Sequence, residues 1–226
     1  MMLHIPQVLT AEQVAQIRQH LLSASWQEGM ATAGVQAAQV KHNWQLSAQL
    51  ALAQQLAQQV RDALLAHPLF MSAVLPKQVL MPLFNCYQHG GHYGNHVDSA
   101  IHYDAQTRLP VRTDVSTTVF LSEPDEYCGG ELVIEDTYGC HEVKLAAGDA
   151  IIYPATSLHR VQPVTDGQRL AAFLWSQSMV RDDWQRHLLF DLDMTIMRLR
   201  QQLQDSAEVV SLTSHYHNLL RQWAEL

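Results

Sequence analysis

Gly148-Asp149-Ala150-Ile151-Ile152-Tyr153 sets a tight-turn dipeptide in front of a short run of strand-forming residues. The same arrangement recurs on either side of it. Gly129-Gly130 precedes Glu131-Leu132-Val133-Ile134, and Asp166-Gly167 precedes Arg169 to Trp175. Glycine turns the chain where other residues are strained, and β-branched or aromatic side chains pack well on a pleated surface. Further upstream, Val115 to Leu121 is another β-branched run. Val79-Leu80-Met81 to Tyr87 reads as one strand ahead of Gly90-Gly91 and Gly94. Several short strands separated by turn signals predict a sandwich or jelly-roll barrel over residues 76–180.

Helical patterns flank this β region. Residues 1–75 read as helical. Thr10-Ala11-Glu12-Gln13 fits a capping box, with Val14, Ile17, Leu21 and Leu22 following at helical spacing. A second run starts at Ser47, carries Leu50, Leu52, Leu56, Val60, Leu64 and Leu65, and stops near His67-Pro68. The Ala/Gln-rich stretch 36–63 has good helix propensity. Beyond residue 180, Leu188, Leu189, Leu192, Ile196, Leu199 and Leu203 form one stripe. After a break near Asp205-Ser206, Val209, Val210, Leu212, Tyr216, Leu219, Leu220 and Trp223 form another. The expected class is α+β: one domain over 1–180, then a helical hairpin over 181–226. That hairpin must bury its stripe, either on its own barrel or on a second copy of the chain.

Composition narrows the function. The chain has 226 residues, 47% hydrophobic and 16% charged, with a net charge of −8 and no basic stripe. That describes a globular protein and disfavours nucleic acid as a partner. The three cysteines (Cys86, Cys128, Cys140) have no CxxC spacing, so neither a disulfide framework nor a zinc ribbon is expected. Met1-Met2-Leu3-His4-Ile5-Pro6 lacks a basic segment followed by a long apolar run, and no stretch approaches a membrane span. The expected location is the cytoplasm, without membrane attachment.

The chemistry centres on His96-Val97-Asp98. On a strand, side chains two apart leave the same face, so His96 and Asp98 point together while Val97 packs away. With His159 added, two nitrogens and one carboxylate make a set that holds Fe(II) on one face and leaves the other open. No thiolate is involved, which argues against structural zinc. Among 13 histidines, an H-x-D pattern also arises as a surface turn or a core hydrogen-bonded pair. The order decides between them: glycine-rich lead-in, H-x-D, β run, Gly-Gly-Glu-Leu, Gly-Asp, strand, histidine, arginine. His89 and His92 read as lining a glycine-rich loop at the site entrance. His102 and His141 lack a ligand-spaced partner, and Asp104, Asp114 and Glu131 lack a histidine two residues away.

Arg169 is the second half of the pattern. A guanidinium presents a planar fork that matches a carboxylate. Leu170, Ala171, Ala172 and Phe173 follow it, so its strand is expected to be buried and its charge to need a partner. That partner is either Glu131 or Asp149 in a structural ion pair, or a bound dicarboxylate. Tyr87 adds a phenol to the pocket or packs in the core. The loop from Ser99 to Arg112, with His102, Tyr103, Arg108 and Arg112, is a candidate substrate contact or a solvated connection.

Tyr87 to Asp98, Gly129-Gly130-Glu131-Leu132, Gly148 to Pro154 and Leu158-His159-Arg160-Val161, in this order, resemble the Fe(II)/2-oxoglutarate-dependent dioxygenase superfamily. The resemblance lies with its prolyl 4-hydroxylase-like branch, and within it with the bacterial PKHD-type hydroxylases, and spans nearly the whole chain. It implies a double-stranded β-helix (jelly-roll) core flanked by helices. It implies His96, Asp98 and His159 as iron ligands and Arg169 on the distal carboxylate of 2-oxoglutarate. It implies O2 as co-reactant, L-ascorbate as reductant, and insertion of one oxygen into a C–H bond with release of succinate and CO2. Some relatives carry a tyrosine where this chain has Phe120, which leaves the secondary contacts to the cosubstrate open. The substrate, a small molecule or a peptide, is not read from the residues. Two other classes use the same ligands: a cupin-like metal-dependent hydrolase or isomerase, which does not need Arg169, and an iron/2-oxoglutarate sensor that binds without turnover.

Overall fold

In the computed structural model, which describes residues 1–29 and 39–226, the chain begins with β1 (Leu3–Ile5), α1 (Ala11–Leu22), β2 (Trp26–Glu28), β3 (Lys41–His42), β4 (Trp44–Leu46), α2 (Ala51–Ala66) and α3 (Pro68–Val74). The expectation of a purely helical start is corrected here. Four short strands of two or three residues stand among the helices, too short for a period-2 pattern to show. Gln36-Ala37-Ala38 of the Ala/Gln-rich stretch lie outside the described residues. The capping box at Thr10 is present: its hydroxyl accepts from Gln13 N at 3.2 Å while Gln13 Oε1 accepts from Thr10 N at 2.9 Å. The second helix starts at Ala51 rather than Ser47, and Pro68 opens α3, where a missing N–H costs nothing.

The middle of the chain supplies β5 (Pro76–Val79), β6 (Leu83–Tyr87), β7 (His92–His96), β8 (Ile101–Tyr103), β9 (Pro110–Arg112), β10 (Val115–Phe120), β11 (Tyr127–Gly129), β12 (Leu132–Asp136), β13 (Gly139–Val143), β14 (Ala150–Pro154), β15 (Leu158–Val161), β16 (Val164–Gly167) and β17 (Arg169–Ser178). The single strand expected from Val79 to Tyr87 is two, interrupted ahead of Pro82, which cannot donate to a ladder. An eight-stranded sheet runs β1-β14-β10-β17-β6-β4-β2, with β5 also on β17. A five-stranded sheet runs β13-β12-β15-β7-β3. The paired strands are antiparallel, and the two sheets form the jelly-roll core.

The large sheet is buried on both faces, which is why β14 and the first part of β17 read as nearly continuous apolar runs. Val115, Val119, Ala150, Ile152, Leu170, Ala172 and Leu174 face α1, α2 and α3, where they pack with Ile17, Leu21, Leu56, Val60 and Phe70. The alternate residues, among them Phe120, Ile151 and Tyr153, face the smaller sheet and pack with Leu132, Ile134 and Val161. The inner surface is therefore part core and part cleft.

The chain ends with α4 (Asp183–Leu203), N-capped by Asp182, and α5 (Ala207–Trp223), N-capped by Ser206. Leu189 and Val180 are fully buried against Leu75, Tyr216, Leu219, Leu220 and Trp223. The hairpin thus closes on itself and on the segment after α3. Leu188 and Leu203 of the expected stripe stay 38% and 51% exposed. Among the described residues no helix is long and apolar enough to cross a membrane.

Candidate active site

β7 ends at His96, and Asp98 lies just past the strand rather than on it. The alternation nevertheless persists: His96 is buried, Val97 is 51% exposed, and the Asp98 side chain turns back inward. β15 pairs with β7 so that His159 lies directly across from His96. One potential ligand atom from each of His96, Asp98 and His159 falls within 4.8 Å of the others, and among the described residues this is the one such group of metal-ligating side chains. His159 Nε2 stands 3.9 Å from Asp98 Oδ1.

The surroundings orient each of the three. Gly94 O lies 2.8 Å from His96 Nδ1, and Ser157 O lies 3.0 Å from His159 Nδ1. A carbonyl only accepts, so each Nδ1 carries the proton and each Nε2 keeps its lone pair. Burial, and then the neighbouring His159, push the His96 imidazolium down to about 4, so its ring is neutral at physiological pH. The Ser116 hydroxyl donates to Asp98 Oδ2. Tyr93 stacks on His96 at 3.6 Å and Tyr153 meets His159 edge-on at 5.0 Å, fixing both rings.

Arg169 opens β17 and pairs across the ladder with Tyr87 of β6. Both are 1% exposed. The guanidinium carbon lies 5.4 Å from the Tyr87 ring and 5.2 Å from the Phe120 ring, between two π-faces. Neither structural partner weighed from the sequence reaches it: Asp149 binds His4 at 2.7 Å, and Glu131 lies 4.0 Å from Lys144. Arg169 Nε is buried without a hydrogen-bond acceptor. A buried charge with an orphaned donor fits a bound carboxylate. Gly130 makes room for the arginine. Its φ is +71°, and a Cβ there would sit 3.0 Å from Arg169 Cδ.

A cleft joins the two halves, and both the histidine–aspartate face and Arg169 line it. Burial raises the phenols of Tyr87 and Tyr127, with the Arg169 charge opposing it in both, so both stay protonated donors. Of the four candidate side chains in the loop, His102 reaches the cleft. It stacks on Trp175 at 4.1 Å, and burial lowers its pKa. Tyr103 is 68% exposed on the β8–β9 hairpin, and Arg108 sits at its tip with φ +61°. Arg112 points away, forking onto Asp114 at 2.7 and 3.0 Å and reaching Glu225 at 3.1 Å. His89 and His92 line a different hollow, beside His42 and Glu28. Lys41, Asn85, Ser116, Thr118 and Tyr153 line the cleft but were given no role from the sequence. Ser116 and Thr118 carry a signal in hindsight: three polar residues, Ser116-Thr117-Thr118, inside a strand that is buried throughout.

A model described as the 2OG-Fe(II) oxygenase superfamily matches residues 82–177, and one for the PKHD-type hydroxylase C-terminal domain matches 183–225. A prolyl-4-hydroxylase crystal structure from Pseudomonas putida superposes with a TM-score of 0.53 at 20% identity, covering 78% of this chain and 92% of that one, a likeness of fold. These define the class as a 2-oxoglutarate- and Fe(II)-dependent oxygenase with a jelly-roll core. A PKHD-type hydroxylase of Hyphomonas neptunium is 63% identical over 225 residues, and one of Saccharophagus degradans is 57% identical over 225, each covering 100% of both chains. The chain belongs to the PKHD-type hydroxylase family, and it is an Fe(II)/2-oxoglutarate-dependent dioxygenase.

Proposed function

We propose that His96, Asp98 and His159 hold the Fe(II) and that Arg169, flanked by Tyr87, holds the distal carboxylate of 2-oxoglutarate. The carrying observation is the pair of histidines whose Nδ1 atoms are committed to carbonyls, leaving two Nε2 lone pairs beside one oriented carboxylate. Bound iron and 2-oxoglutarate supply the chemistry that activates O2, inserting one oxygen into a substrate C–H bond with release of succinate and CO2. The protein's part is to bind, orient and exclude water. Tyr93 and Tyr153 clamp the imidazoles. Ser116 turns the Asp98 carboxylate. The Arg169 fork receives a dicarboxylate end-on at the floor of the cleft, leaving the side lined by His102 and Trp175 for substrate.

The reading extends further. Ascorbate serves as the reductant that keeps the iron ferrous. The setting is a reducing cytoplasm, in keeping with three cysteines that are all free. The substrate is a small molecule or peptide rather than nucleic acid. Residues 1–180 act as the dioxygenase domain and 181–226 as a helical hairpin that closes it. A homo-oligomer through that hairpin has the exposed Leu188 and Leu203 in its favour.

Anaerobic titration with Fe(II) and then 2-oxoglutarate tests the site through the weak visible charge-transfer band of the chelate. Arg169→Gln should raise the 2-oxoglutarate concentration needed by about 10–100-fold while sparing iron binding. Folded wild-type protein that gives no band, or an Arg169→Gln variant with unchanged cosubstrate affinity, overturns the assignment. Succinate release under oxygen separates an enzyme from a sensor.

A further inference from the structure

We propose that His42 and His92 form a second metal site, apart from the His96–Asp98–His159 face. It takes a divalent transition-metal ion of the kind that imidazole favours, such as Ni(II), Cu(II) or Zn(II).

The two residues meet on the sheet that also carries His96 and His159. β7 lies between β15 and β3. On one side His159 of β15 stands across from His96, and on the other His42 of β3 stands across from His92. Side chains directly opposite each other on neighbouring strands leave the same face, with Cβ atoms about 5 Å apart. The rings of His42 and His92 lie 4.7 Å apart, centre to centre, and are tilted by 45°. Those of His96 and His159 lie 4.2 Å apart and are tilted by 52°. The second pair therefore nearly repeats the disposition of the first.

His92 is also prepared as a ligand in the same way. Its Nδ1 stands 3.0 Å from the carbonyl oxygen of Gly90, two residues back. His96 Nδ1 and His159 Nδ1 meet the carbonyls of Gly94 and Ser157 at the same offset. A carbonyl only accepts, so His92 Nδ1 carries the proton and Nε2 keeps its lone pair. Ring packing alone needs no fixed tautomer, whereas a metal ligand does.

One ion cannot serve both pairs. Four residues of strand separate His92 from His96, roughly 13 Å at full extension. The faces differ as well: Lys41 and Tyr93 line the cleft with His96, while His42 and His92 line the other hollow with Glu28 and His89. His42 is exposed and His92 half-buried, so an ion enters from solvent. Glu28 gives the hollow a carboxylate; Lys41 borders it but sends its ammonium to Gln45 Oε1. Among the described residues no third histidine, cysteine or carboxylate completes a cluster with this pair. Water therefore fills the remaining positions, and the ion is held less tightly than by a three-ligand face.

The test dialyses full-length protein against rising Ni(II) and counts nickel bound per chain. Wild type should take up two equivalents, the second more weakly. His159→Ala should lose the tighter equivalent and keep the weaker one. His42→Ala and His92→Ala should each do the reverse, because removing one imidazole turns a chelate into a single contact and weakens the second equivalent about 100-fold. The Fe(II)/2-oxoglutarate charge-transfer band should be unchanged in both, which reports an intact fold; His42, exposed at the sheet edge, carries the test if His92→Ala disturbs β7. Wild type that binds a single equivalent, lost in His159→Ala, overturns the proposal. So does a second equivalent that survives removal of both His42 and His92. A single equivalent that survives His159→Ala and is lost in His42→Ala supports the proposal and counts instead against the assignment of the His96–Asp98–His159 face.

Discussion

Replacing Lys41 with methionine should stabilise the metal-free protein at neutral pH and lose that advantage in alkali. Burial pushes the Lys41 ammonium down from 10.5 to about 8, against a smaller opposing pull from Asp98. The folded-state pKa lies below the unfolded one, so between about 8 and 10.5 the unfolded chain binds more protons, and stability rises with pH across that window. The penalty is in full force below about 8 and gone above 10.5. A displacement of that size corresponds to about 3 kcal/mol at pH 7 and less than about 1 kcal/mol at pH 10. Methionine keeps most of the buried stem but removes the donor at Gln45 Oε1, which costs about 1 kcal/mol. The variant should therefore be about 2 kcal/mol more stable than wild type at pH 7 and near parity at pH 10. Urea unfolding of both proteins with a chelator present, at the two pH values, reads the difference directly, since groups that titrate in both proteins cancel. A difference that does not change with pH means the ammonium is solvated and refutes the reasoning.

Gly130→Ala places a Cβ at a φ of +71° and within 2.8 Å of Val164 Cγ2 and 2.9 Å of Tyr127 Cε2, as well as against the Arg169 stem. It should cost about 1–2 kcal/mol in backbone strain and weaken 2-oxoglutarate binding about tenfold with iron binding intact; an unshifted charge-transfer titration argues against the glycine's role. Ser116→Ala removes the hydroxyl on Asp98, so iron affinity should fall about 10–100-fold in competition with a chelator, with little change in melting temperature. Arg112→Ala leaves the Asp114 carboxylate with only the Ser178 N–H of its present partners, at 2.9 Å. Thermal or urea unfolding should show a loss of about 2 kcal/mol while 2-oxoglutarate affinity stays put; a loss of cosubstrate binding would place Arg112 in the site after all.

Which parts of this molecule are readable in one dimension follows from how each part is stabilised. β10, β14 and β17 announce themselves because both of their faces are buried, so the residues between the turn glycines are strand formers in unbroken runs. β7 shows no such run: His92-Tyr93-Gly94-Asn95-His96 has no β-branched residue, and its place in the sheet comes from β15 and β3 across it. His96 and Asp98 are still legible, because a spacing of two keeps their faces together even where the strand gives out. The two arginines show the limit more sharply. Arg112 and Arg169 both lie on strands, but Arg112 has Asp114 two residues on and forks onto it, a local pairing already visible as R-x-D. Arg169 is followed by the apolar run Leu170 to Trp175 and ends beside an open cleft with an orphaned Nε. Lys41 is beyond such reasoning, because β3 is two residues long and carries no periodicity. What turns it inward is the pairing of residue 41 with residue 93, a contact between strands far apart in the chain. The His96–Asp98 pair is thus written in local spacing, while the arrival of His159 beside it and the inward turn of Lys41 depend on long-range strand pairing.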